Sequence, residues 1–134
     1  MNDRKCAICP YMMDTKTFSS GDSTICIRGH IDCTTKNVVY GLFCEKCDTI
    51  VYVGETGNSL YERMSNHLSR IRNFRDDVVP LHFNSEDHDI NCFRIVGIES
   101  IGGQSLQYRR VRENFWIKKL DTYHNGLNIN YSEF

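Results

Sequence analysis

The chain has 134 residues, 40% of them hydrophobic and 25% charged, which excludes a disordered chain and suits one domain with a modest core. Its net charge of −1 gives no bulk attraction for a polyanion, and no apolar run approaches a membrane span. The polar start, Met1-Asn2-Asp3-Arg4-Lys5, lacks the apolar core of a secretion signal, so the expected location is intracellular, nuclear or cytoplasmic.

Six of the seven cysteines fall in the first 47 residues. In a reducing compartment such clustering means metal more often than disulfides. Residues 1–36 carry Cys6-x2-Cys9, then Cys26, His30 and Cys33, around a turn-rich stretch from Phe18 to Ser23 with little periodicity. The reading is a small Cys-rich segment in which Cys6, Cys9, Cys26 and Cys33, or three of them with His30, hold a tetrahedral zinc. Free thiols in a flexible arm are the plainer alternative. A polar break at Thr34-Thr35-Lys36 separates this segment from a main domain over 37–134.

Two strands follow, Val38–Phe43 and Thr49–Gly54, both rich in β-branched and aromatic residues and joined at Cys44-Glu45-Lys46-Cys47. An apex at Lys46 predicts that Tyr40 and Tyr52 lie directly opposite one another. Ser59 and Glu62 form a capping box that opens a helix running to about Arg72. Leu60, Met64, Leu68 and Ile71 are its buried stripe, and Arg63 and His67, four apart, share a face beside it.

Val78–Phe83 reads as a short turn or helix. His82 and His88 have nearly the spacing of paired histidine ligands, and with Cys44 and Cys47 they complete a Cys2His2 set. Cys92 reads as a buried apolar residue. Phe93–Glu99 is a third strand, and a second long helix covers about Ser105 to Leu120, with a stop expected at Asn125-Gly126. On that helix Glu113 shares a face with Trp116, Ile117 and Leu120. A carboxylate on an apolar face needs a partner arginine or a cation. The tail Leu127–Tyr131 is apolar enough to pack back on the core. The fold class is therefore α/β (α+β): a three-stranded antiparallel sheet flanked by helices.

Tyr40, Tyr52-Val53-Gly54, Arg63, His67, Glu113 and Asn128, in that order and spacing, resemble the GIY-YIG nuclease domain. Val38-Val39-Tyr40 stands for its first signature, with a valine replacing the glycine. Cys44-x2-Cys47, Leu81-His82-Phe83-Asn84, His88, Phe115-Trp116-Ile117 and Gly126-Leu127-Asn128 are similar to the endonuclease domain of Penelope-like retroelements. The Cys-rich segment ahead of the domain is similar to theirs too.

The resemblance implies a DNA endonuclease hydrolysing phosphodiester bonds, normally carried beside a reverse transcriptase and nicking target DNA for a retrotransposon. It assigns Tyr40 to activating the attacking water and Tyr52 to positioning water or phosphate. It assigns Arg63 to the transition-state charge and His67 to proton acceptance. Glu113 would bind one catalytic Mg²⁺ or Mn²⁺, and Asn128 would fix the geometry. It also implies structural Zn²⁺ at Cys44, Cys47, His82 and His88. Glu55 stands where some members have a phosphate-contacting lysine; a carboxylate there cannot make that contact, and the expectation is that it repels DNA or tunes the site. A zinc-stabilised nucleic-acid-binding module without cleavage, and a structure-specific repair or recombination nuclease, are the alternatives.

Overall fold

A computed structural model describes residues 6–13 and 15–129. The short strands β1 (Thr17–Ser20) and β2 (Ser23–Cys26) form a hairpin of their own. The main sheet has three antiparallel strands, β3 (Lys36–Cys44), β4 (Thr49–Ser59) and β5 (Phe93–Ser100), in the order β4-β3-β5. Helices α1 (Leu60–Arg72), α2 (Val78–Phe83) and α3 (Leu106–Leu120) complete the described chain. Among the described residues no helix is long and apolar enough to cross a membrane.

Alternation along β3 divides its side chains between two cores. One face, with Val38, Tyr40 and Leu42, packs against the α1 stripe Leu60, Met64, Leu68 and Ile71 and against Phe83 of α2. The other, with Val39 and Phe43, packs with Val53 and Ile98 against Trp116 and Ile117 of α3. Each fully buried aliphatic side chain in these layers is worth roughly 1.5–3 kcal/mol relative to exposure. The α1 stripe is the one the sequence predicts, and the Ser59 hydroxyl accepts from the Glu62 N–H at 3.1 Å.

Three expectations need correction. Tyr40 lies opposite Gly54, not Tyr52, and Tyr52 lies opposite Leu42. The offset has two causes: the turn centres between Lys46 and Cys47, so that Cys44 pairs with Thr49 and Phe43 with Ile50, and a bulge then leaves Val51 as the extra residue in β4. The two tyrosines therefore share a face diagonally. Second, α3 stops at Leu120 because Asp121 adopts a left-handed backbone (φ 53°), five residues before Gly126. Third, the stretch around Phe18 is the β1–β2 hairpin, whose Phe18 and Ile25 are buried in the α3-side core, while Ile8 and Cys33 are buried on the other.

Both edges of the sheet are covered. Met13 and Arg28 donate backbone hydrogen bonds to Ile95 and Ile98 along the outer edge of β5. On the outer edge of β4, Leu127 donates to the carbonyl of the bulged Val51 at 2.7 Å. Covered edges leave no template for strand addition. The expected packing of the tail therefore holds at Leu127 and Asn128; Asn130 and Tyr131 lie outside the described residues.

Candidate active site and metal clip

Tyr40 is fully buried on β3, beneath α1. Its space comes from Gly54 directly across the pair: a Cβ at that position would overlap the Tyr40 phenol. The phenol oxygen accepts from Arg63 Nε at 3.0 Å and lies 2.9 Å from His67 Nε2. Arg63 Nη1 donates to Asn66 Oδ1 at 3.1 Å, so the guanidinium is held at both ends. Tyr52 is half-buried, and its ring lies 5.9 Å from the His67 ring, the same edge-on relation that Tyr40 has at 5.8 Å.

Burial, then the Arg63 charge, pulls His67 down to about 3. Burial also holds the Tyr40 phenol far above its usual value. A neutral histidine and an intact phenol fix the polarity of the chain: Arg63 donates to Tyr40, and Tyr40 donates to His67 Nε2. His67 Nε2 is thus a hydrogen-bond acceptor at rest, and the tautomer carries its proton on Nδ1.

Asn128 acts on the backbone. Its Oδ1 accepts from the Val53 N–H and its Nδ2 donates to the Val53 C=O, both at 2.9 Å. One amide thereby satisfies both polar groups of an edge-strand residue next to Tyr52, which fixes where that phenol points.

Glu113 projects from the middle of α3, half-buried. It makes no hydrogen bond or ion pair among the described residues. Burial first, then the charge of Glu55, raises it to about 7, against the pull of Arg110, Arg109 and Arg63. A half-buried carboxylate without a hydrogen-bonding partner is a costly arrangement that a hard cation relieves, so the site fits a divalent metal.

At the far end of the hairpin Cys44, Cys47, His82 and His88 converge, their ligand atoms all within 4.8 Å of one another. Cys47 Sγ lies 3.7 Å from His82 Nε2 and 3.6 Å from His88 Nε2. Zinc at about 2.3 Å from sulfur and 2.0–2.1 Å from nitrogen gives a tetrahedral S···N edge of about 3.6 Å. His88 Nδ1 faces the Glu86 carbonyl at 3.0 Å, which turns Nε2 toward the cysteines. Burial, then His88, holds His82 below its ordinary value and keeps its lone pair available.

In the N-terminal segment Cys6 and Cys9 are joined as a disulfide, and the Cys33 sulfur lies in the same cluster. Cys26 is not part of that group. It is exposed on β2, and the His30 side chain is exposed and sits 3.4 Å from Asp32.

Of two carboxylates beside the site, the sequence reading gave Glu55 a different role and missed Glu99. Glu55 does not stand free to face phosphate: it accepts from Arg109 Nε at 2.5 Å. Glu99, buried on β5, accepts from Arg112 Nε and from Trp116 Nε1, both at 2.9 Å. The available signal was the helical spacing of Arg109, Arg112, Glu113 and Trp116.

The GIY-YIG catalytic domain family model matches residues 36–128, more than half of the chain. The catalytic domain of homing endonuclease I-TevI aligns with a TM-score of 0.60 at 25% identity, covering 71% of this chain and 99% of that one. A point mutant of the catalytic domain of intron endonuclease I-TevI aligns with a TM-score of 0.61 at 24% identity, covering 75% and 99%. No curated protein sequence matches.

Proposed function

The chain belongs to the GIY-YIG nuclease family, and we propose that it is a divalent-metal-dependent endonuclease that hydrolyses phosphodiester bonds in DNA. The observation that carries the reading is the chain of hydrogen bonds from Arg63 through Tyr40 to His67, with the half-buried carboxylate of Glu113, which has no hydrogen-bonding partner among the described residues, within electrostatic reach of both tyrosines.

Arg63, held by Tyr40 and Asn66, offers a fixed charge to the phosphorane-like transition state. Tyr40 accepts a proton from the attacking water as its own passes to the neutral His67. A phosphate beside Arg63 offsets the charge that, after burial, lowers His67, so substrate binding itself raises the basicity of the acceptor. Tyr52, aimed by Asn128 through Val53, positions water or phosphate. Glu113 would hold one Mg²⁺ or Mn²⁺, which when bound polarises a phosphate oxygen and stabilises the leaving oxyanion.

Cys44, Cys47, His82 and His88 would hold a structural Zn²⁺, since four protein ligands leave no position for water. A second zinc at Cys6, Cys9 and Cys33 requires those two paired thiols reduced and a fourth donor. The likeness of the Cys2His2 set and its flanking residues to Penelope-like endonuclease domains supports target-DNA nicking for a retroelement, beside a reverse transcriptase.

The test is incubation with supercoiled plasmid, with and without Mg²⁺. Metal-dependent nicking is expected. DNA retention without any cleavage would overturn the reading in favour of a binding module. Strong preference for branched over duplex oligonucleotides would overturn target nicking in favour of a repair or recombination nuclease.

A further inference from the structure

α3 carries Glu113 yet has little apolar surface to seat it: Asn114, Trp116 and Ile117 are its buried residues. Instead, Arg109 is followed three and four residues on by Arg112 and Glu113, and these four and three residues on by Trp116, which places the four in one stripe along the helix. Val39 of β3 pairs with Glu55 on one side and with Glu99 on the other. The two carboxylates therefore stand in one row across the sheet, on the face α3 covers. Arg109 reaches the Glu55 end, and its Nη1 also donates to Asn37 Oδ1 at 3.0 Å. Arg112 and Trp116 reach the Glu99 end. Gly57 completes the first seat, because a Cβ there would come within 3.1 Å of the Arg109 guanidinium.

We propose that the Glu55–Arg109 and Glu99–Arg112 pairs are positioning clamps that fix the rotation of α3 about its own axis and so aim Glu113 at the catalytic cation. The inference rests on the metal-site reading above. Arg109 lies one turn before Glu113 and Arg112 immediately before it, so the residues that tie the helix to β4 and to β5 directly adjoin Glu113. Both pairs are largely withdrawn from water, with side-chain exposures of 12% and 19% for Arg109 and Glu55, and 18% and 11% for Arg112 and Glu99. Desolvated ion pairs add little net stability, whereas their forked geometry specifies orientation. Glu55 is thus a positioning residue, and its charge is matched by Arg109 instead of being offered to DNA.

The test is Mn²⁺ binding by electron paramagnetic resonance on the zinc-loaded full chain, which needs no cleavage, with Glu113→Ala marking the site. By Coulomb's law alone Arg109→Gln removes a positive charge and tightens a nearby cation. Displacement of Glu113 predicts the opposite, about tenfold weaker binding, the cost typical of removing a group that orients a ligand. Gly57→Ala keeps every charge but crowds the guanidinium, and should weaken Mn²⁺ several-fold. Unchanged or tighter Mn²⁺ binding at Glu113 in both variants, whatever their melting temperatures, would overturn the clamp. Mn²⁺ binding by the unsubstituted chain that is indifferent to Glu113→Ala would instead sink the metal-site reading and the clamp with it.

Discussion

The two ends of the β3–β4 hairpin are built on opposite plans. At the turn, Cys44, Cys47, His82 and His88 converge so closely that every ligand faces the others. Midway along the strands, Tyr40, Arg63 and His67 form a directed chain, and Glu113 has no hydrogen-bonding partner among the described residues. A closed coordination set is a staple, whereas a set with a neutral acceptor, a fixed cation and an open carboxylate has room for substrate. On the function proposed, the two sites share a hairpin but divide structure from chemistry.

The sharpest way to break this division is to substitute each end and read both outcomes. Cys47→Ser removes a ligand from the closed set, and structural zinc sites carry a large share of the folding free energy of small domains. Its thermal midpoint should fall by on the order of 10 °C or more, while the protein still folded below that midpoint keeps cutting. Scanning calorimetry with elemental analysis checks this: about one zinc per chain would be lost.

Arg63→Ala should reduce single-turnover cleavage by about 10²–10³-fold, the usual scale for removing a preorganised charge, with DNA retention little changed. Tyr40→Phe should have a smaller kinetic effect, about 10²-fold. It also leaves Arg63 Nε and His67 Nε2 facing an apolar ring, which should cost roughly 1–3 kcal/mol of stability in denaturant unfolding.

A further effect is in the pH dependence of stability. His67 is neutral when folded, its value lowered from 6.5 to about 3 by burial and then Arg63. The unfolded chain therefore binds the extra proton, and stability falls as pH drops from about 6.5 toward 3. His67 should contribute up to about 1.4 kcal/mol per pH unit to that slope. His67→Gln should flatten it, and an unchanged slope would mean that position 67 is protonated in the fold.

Much of this was legible because it is local. The Ser59 cap, the α1 stripe, the strand runs and the Cys-x2-Cys turn each follow from residues a few positions apart. Tyr40 and Tyr52 were found, but their register was not, because neither the centre of the turn nor the bulge at Val51 leaves a mark in composition. The β1–β2 hairpin was passed over although Phe18 and Ser20 alternate inward, since two buried positions in a polar run give a weak period. Glu113 was conspicuous as a carboxylate on an apolar face. Glu55 was misread for the converse reason: its partner Arg109 is 54 residues away, and only the fold brings them together.

The central claim is that hydrolysis depends on a cation at Glu113 and not on the metal at the cysteine turn. The most direct measurement is nicking of supercoiled plasmid by zinc-loaded protein across a Mg²⁺ titration, comparing the unsubstituted chain with Glu113→Ala. The account predicts Mg²⁺-dependent nicking that falls by at least about 10³-fold in Glu113→Ala, with zinc content and thermal midpoint unchanged. Equal nicking by both proteins, or full nicking with zinc alone, would contradict it.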